Sequence, residues 1–176
     1  MRRLTGPTMA QSAMAGELSP EEAGTMIGTL LRQLHALPGR SPEAPPHHRV
    51  LHLDLHPENI LITSDGPMVI DWATAEEGPP GLDRAMSALI LAEVVVADGP
   101  AAAGSRVALA ALLAEFGDGE FGKVEKAEVG RCPKGQLARA RARRAANPTL
   151  GSAEIARLDA AVELVMRLAE SAAPRP

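Results

Sequence analysis

The stretch VLHLDLHPENILITSDGPMVIDW, residues 50–72, constrains the fold more than any other part of the chain, because it sets imidazole, carboxylate and amide side chains between short apolar runs. Val50, Leu51, Leu53 and Leu55 form the first run, residues 60–63 are aliphatic and β-branched, and residues 68–70 form a third run that ends at Asp71. This pattern predicts three short strands. Ser64-Asp65-Gly66-Pro67 separates the last two, and its Asp-Gly pair is a hairpin signal because glycine accepts positive φ without steric cost. The polar residues then fall at strand ends and in one loop, held by β structure yet open to solvent.

The spacing of those polar residues has a chemical reading. His52, Asp54 and Asn59 form HxDxxxxN, and the strand pair that follows delivers Asp71. Phosphoryl transfer requires a hydroxyl held in line with the γ-phosphorus and magnesium held on the nucleotide phosphates, since most of its catalysis is positioning and charge stabilisation. Asp54 would orient the hydroxyl or accept its proton, while Asn59 and Asp71 would give magnesium the oxygen donors it favours. His56 would brace the loop or touch the substrate. Taken alone, Asp54 reads more readily as an aspartate capping a turn at a strand end, and it is the full set of His52, Asn59, the hairpin and Asp71 that reverses this. His47, His48, His52 and His56 with Asp54 also offer the alternating ligands of a metal-dependent hydrolase, although Pro57 interrupts the strand that would align them.

At 176 residues the chain is long enough for one domain with a real core. A net charge of -4 argues against a nucleic-acid partner, and so does an aromatic content limited to Trp72, Phe116 and Phe121, which leaves almost no base-stacking platform. Cys132 is the single cysteine, which excludes an intrachain disulfide and fits a reducing, cytoplasmic setting. No signal-peptide pattern follows Met1-Arg2-Arg3, and the longest apolar segment, residues 85–97, is too short to span a membrane and contains Glu93. No membrane partner is expected, and the sequence leaves the oligomeric state open.

Residues 1–16 show no clear period and read as a connector. Ser19-Pro20-Glu21-Glu22 is a helix start with a capping serine, proline at the first helical position and Glu22 completing a capping box. Ala23, Met26, Ile27, Leu30, Leu31 and Leu34 then mark one helical face, and Pro38-Gly39 stops it. Residues 41–48 read as an irregular surface loop and residues 73–81 as another. A predominantly apolar helix over about 82–96 is expected to lie at the centre, broken by Asp98-Gly99-Pro100. Residues 101–116 predict a further helix, residues 117–134 a connection, residues 136–146 a basic helix, and residues 153–169 a last helix capped by Ser152. Arg139, Arg141, Arg143 and Arg144 read as a solvated helix face.

HLDLHPENILI followed by VIDW resembles the aminoglycoside phosphotransferase family, a kinase-like group similar to choline kinases. LLRQLHALP and GLDRA resemble that family's flanks, so the likeness covers residues 1–92 well and the remainder loosely. The resemblance implies an α+β, mostly helical fold: a protein-kinase-like C-terminal lobe with a small β-hairpin carrying the catalytic loop. It implies transfer of the γ-phosphoryl group of ATP, with Mg2+, to a small-molecule hydroxyl acceptor. Asp54 matches the family's catalytic aspartate, Asn59 and Asp71 its metal and cofactor ligands, and His52 the histidine that braces the loop. Asp83 matches an aspartate at the start of a buried helix that supports the loop. Glu58 stands where the family often has glycine, and Gly78-Pro79-Pro80 replaces a Gly-Asp-Pro turn. The family also places a nucleotide-binding lobe before a linker that residues 1–16 resemble. The expectation is therefore a linker remnant at 1–16 and a helical lobe at 17–176, the N-terminal lobe missing, as in a truncated or mis-started product with weak or no activity by itself. A kinase-like remnant that serves only as a binding module is the alternative.

Overall fold

The first two helices start at capping boxes written in the sequence, at Thr8 and at Ser19. In the computed structural model, which describes residues 4–39, 43–116 and 133–172, a mostly helical α+β fold carries two small antiparallel sheets. Helix α1 is Met9–Met14, a helix the sequence reading took as part of a connector. Thr8 and Gln11 form its capping box, a signal present in the sequence but attached to a helix too short to show a period. Met9 and Ser12 are buried, so the segment belongs to the packed body of the protein.

Helix α2, Pro20–Ala36, starts at Ser19 with the expected capping box to Glu22. It lies against α4, Ala102–Glu115, at very short range. Gly24 and Gly28 make that approach possible: a Cβ at Gly24 would fall 2.1 Å from the Ala108 carbonyl oxygen, and one at Gly28 would fall 2.6 Å from Glu115 Cβ. Arg32 closes the far end of the contact through Glu115.

Helix α3, Pro80–Val96, is the central element, with α4, α5 (Pro133–Ala145) and α6 (Ser152–Ala172) packed on it. Leu82, Ala85, Met86, Ala88, Leu89, Leu91 and Ala92 are all buried, so the helix is apolar around most of its circumference as its sequence predicts. Ser152 is the first residue of α6 instead of its cap; the Gly151 carbonyl accepts from Glu154 and Ile155, and Glu154 returns a carboxylate to the Gly151 N–H. The expected connection over 117–134 falls mostly outside the described residues.

The strands are β1 (Arg49–Leu51), β2 (Ile60–Thr63), β3 (Gly66–Val69) and β4 (Glu76–Gly78). β2 and β3 form the expected hairpin, closing over Ser64 and Asp65 with Thr63 opposite Gly66, whose φ of 105° only glycine adopts easily. Two strand expectations are corrected. β1 stops at Leu51, short of Leu53 and Leu55, because Leu53 takes a left-handed φ of 64° that ends extended structure. β4 arises where a loop was expected and pairs with β1, Leu51 opposite Glu76. Its acidic, glycine-ended sequence has no strand propensity, so pairing alone makes it a strand.

Candidate active site

The site is built on a single buried carboxylate. Asp83, in the first turn of α3 and fully buried, accepts the His52 N–H (2.9 Å) on Oδ2 and the Leu53 N–H (2.7 Å) on Oδ1. His35 of α2 meets the same Oδ2 from the other side at 3.0 Å. A carboxylate can accept several bonds at once, and here each satisfies a donor that would otherwise be buried unpaired. The two backbone bonds turn the chain out of β1 and hold Leu53 in its left-handed conformation, a state that costs a non-glycine residue about 1–3 kcal/mol and persists only when neighbours enforce it. Leu51, Leu53 and Leu55 are buried at 0–1% exposure on either side of that turn, so Asp54 is the residue carried outward.

His52 holds the loop to the hairpin. Its ring is buried, with Nε2 2.9 Å from the Ile70 carbonyl and Nδ1 3.3 Å from the Asp54 N–H. In this arrangement Nε2 donates to the Ile70 carbonyl and Nδ1 accepts from the Asp54 N–H. The Thr74 hydroxyl donates to the His52 carbonyl at 2.7 Å, and the Trp72 ring lies 4.8 Å from the imidazole. With both nitrogens committed to backbone groups, His52 has no donor for a metal. Among the described residues no three His, Cys, Asp or Glu side chains gather as a metal-binding cluster, so the hydrolase arrangement does not form there.

Asp54 and Asn59 face each other across the loop. The Asn59 amide nitrogen lies 2.9 Å from the Asp54 carbonyl, 3.2 Å from Asp54 Oδ2 and 3.2 Å from His56 Nε2. Pro57–Asn59 is a single tight turn that His56 caps, its Nδ1 accepting from the Glu58 N–H. Burial pushes the Asp54 carboxyl up, but the hydrogen bond and charge of His56, with the charge of Arg144, outweigh that and hold it below the ordinary 3.8. Asp54 is thus an ionised, partly exposed carboxylate at neutral pH.

Asp71 reaches the same end of the hairpin. Ile60 pairs with Val69, and the Ile70 N–H continues the ladder by donating to the Asn59 carbonyl at 3.0 Å, so Asp71 is the next residue beyond Asn59's own partner. Asp71 is exposed, has a left-handed φ of 59°, and accepts from the Ala73 N–H at 3.4 Å. The donor set suits magnesium, a cation that takes one or two carboxylates and completes its shell with water and phosphate. Asn59, whose amide nitrogen is already committed, has its amide oxygen left to offer.

Two contributors escaped the sequence reading. His35 sits four residues after Leu31 on the buried stripe of α2, a position that marks it as interior. Arg144 continues the stripe of Leu137 and Ala140 on α5, and its guanidinium bonds both oxygens of Glu93 on α3 at 2.8 Å each.

Searches of curated proteins and of solved structures found no match to the chain. A family match covers residues 40–125, beginning before β1 and running through α4, so it leaves out α1 and α2 and reaches beyond residue 92, where the close resemblance was expected to fade. The match is to the model of APH, described as the phosphotransferase enzyme family, and residues 40–125 are similar to it.

Proposed function

We propose that the chain performs the acceptor and metal half of ATP-dependent phosphoryl transfer to a small-molecule hydroxyl. Residues 17–176 are read as the helical C-terminal lobe of a kinase-like fold, with residues 1–16 as the segment leading into it. The observation that carries this reading is the Asp83 clamp, which projects an ionised Asp54 from a turn braced by His52 while the hairpin sets Asp71 beyond Asn59.

In this reading Asp54 orients the acceptor hydroxyl and accepts its proton as the phosphoryl group transfers. Asn59 shares its amide nitrogen with Asp54, which keeps the two side chains in register. Asn59 and Asp71 would hold magnesium, and the bound ion would neutralise charge on the nucleotide phosphates. His52 and Asp83 touch no reactant; they fix the backbone on which Asp54 stands.

The test is an ATP-dependent phosphorylation assay over a panel of small hydroxyl compounds, run on the chain and on its Asp54→Asn variant. Asp54→Asn is expected to lower transfer by at least about 100-fold, the scale of a lost general base, with the fold retained by circular dichroism. Transfer that survives the substitution removes Asp54 from this role.

A further inference from the structure

Residues 6–8 run beside β2 and pair with it. The Ile62 N–H donates to the Pro7 carbonyl at 2.9 Å, and Thr8 stands opposite Leu61 in an antiparallel bridge. β2 therefore has a partner at each edge, β3 on one side and this strap on the other. The approach is made by backbone. Gly6 has a φ of 148°, and a Cβ there would fall 2.1 Å from the Ile62 carbonyl oxygen and 2.9 Å from its carbon. A segment that only filled space would call for bulk at this place, whereas a glycine lets one backbone close on another and sets their distance.

The strap turns directly into α1. Thr8 caps that helix, its hydroxyl accepting from the Gln11 N–H at 3.1 Å while the Gln11 side chain accepts from the Thr8 N–H at 2.9 Å. Pairing with β2 thus fixes where α1 starts, and α1 lies against the Pro57–Asn59 turn and β2 with Met9 fully buried. Asn59 ends that turn and leads into β2, while Asp71 follows Ile70, whose N–H bonds the Asn59 carbonyl at 3.0 Å. Both residues assigned to magnesium are therefore registered on β2. The Asp83 clamp holds the loop at His52 and Leu53; the strap and α1 hold it at its other end, by Asn59.

We propose that Gly6 is a positioning residue for the phosphoryl transfer assigned above, and residues 6–14 the strap through which it acts: pinned along β2, they hold Asn59 and Asp71 against the turn that carries Asp54. The role rests on that functional reading, and the geometry on the strap's own contacts. No strap residue touches a reactant. Its importance follows from the chemistry, because a misplacement of about 1 Å can cost about 100-fold where catalysis is mostly positioning.

Amide hydrogen exchange followed by NMR on the full chain tests this without turnover. It is read at the Ile62 N–H, which bonds the strap, at the Ile70 N–H, which bonds Asn59, and at Leu89 in the buried centre of α3, which reports global opening. In Gly6→Ala the Ile62 and Ile70 amides are expected to exchange faster relative to Leu89 by about tenfold or more, the scale of a forced contact. Affinity for magnesium and ATP together, measured by calorimetry, is expected to weaken by about tenfold, as it does when the support of a metal ligand is lost. Thr8→Ala removes the cap and leaves Gly6 in place, so it serves where Gly6→Ala does not fold; the Ile70 amide is again expected to exchange faster relative to Leu89. An Ile70 amide unchanged relative to Leu89 in either variant overturns the proposal, since the strap then stops at β2 or affects stability alone. Unweakened affinity in a variant whose Ile70 amide is freed overturns it as well. A wild type with no affinity for magnesium and ATP counts against the phosphoryl-transfer reading instead, and exchange at Ile70 still decides whether the strap positions Asn59.

Discussion

Two residues with unusual surroundings decide how the site behaves, and each can be tested singly. Asp83 satisfies two backbone donors in a dry setting, so Asp83→Ala strands the His52 and Leu53 N–H groups. The loss is expected to be about 3 kcal/mol, measured as a shift in urea midpoint, since each buried unpaired donor costs about 1–3 kcal/mol. Asp54 gives a pH signature whose sign follows from its surroundings. Its carboxyl titrates lower in the folded chain than the ordinary 3.8, so its ionised form adds stability that is fully present above that value and is lost as pH falls through the folded one. The stability of the wild type relative to Asp54→Asn should therefore hold steady above pH 3.8 and decline below it; a relative gain in acid contradicts the assignment. Asp54, Asn59 and Asp71 were legible in sequence because their spacing is a chemical pattern. The turn that presents Asp54 was not, because alternating leucines at 51, 53 and 55 describe a strand equally well. Only Asp83, some thirty residues on, decides against it. Arg144 was hidden among neighbouring arginines whose pairs are exposed, and its burial depends on the partner helix.

At the scale of elements, the chain's helices announce themselves through caps and spacing, while its short strands depend on contacts. The capping box at Ser19 and the apolar stripe of α2 were readable, and so was the all-round apolar character of α3. β4 was not, since Glu76 and Glu77 carry no strand signal and become strand by pairing with β1. The α2–α4 contact adds a feature that sequence hinted at only as two glycines in a helix. Glycine in a helix interior costs about 1 kcal/mol relative to alanine, so Gly24→Ala should stabilise an isolated α2. In the folded chain the added methyl meets the Ala108 carbonyl, a backbone group that cannot move without displacing α4. Overpacking of this kind costs about 1–3 kcal/mol and exceeds the propensity gain. Thermal unfolding should show Gly24→Ala less stable than wild type, whereas the same change at Gly104, where the nearest atom is Pro20 Cγ at 3.5 Å, should be tolerated. Equal melting temperatures for the Gly24 variant and the wild type mean that the helices separate without penalty.

The whole molecule joins these scales through α3, which carries the Asp83 clamp at its first turn and the Glu93 partner of Arg144 at its far end. The helices packed around α3 thereby fix the loop, and the hairpin hangs from it through His52 and the Asn59–Ile70 bond. That construction predicts where ligand binding will register. On the proposed reading magnesium and ATP would engage Asn59 and Asp71 at the base of the hairpin, and binding to the folded state alone raises the melting temperature as ligand concentration exceeds the dissociation constant. At a hundredfold excess the stabilisation is about 2.7 kcal/mol. Asp71→Asn keeps the size of the side chain and its bond to the Ala73 N–H but removes the charge the cation needs. The wild-type chain should therefore gain melting temperature with magnesium and ATP together, and Asp71→Asn should gain less. Asp65→Asn, a change at the exposed turn of the same hairpin, should respond like the wild type. Identical, zero responses in all three would favour a kinase-like module that binds partners without catalysis. A response lost equally at Asp65 and Asp71 would mean that general acidity, and not the position that the Asn59–Ile70 ladder gives Asp71, draws the cation.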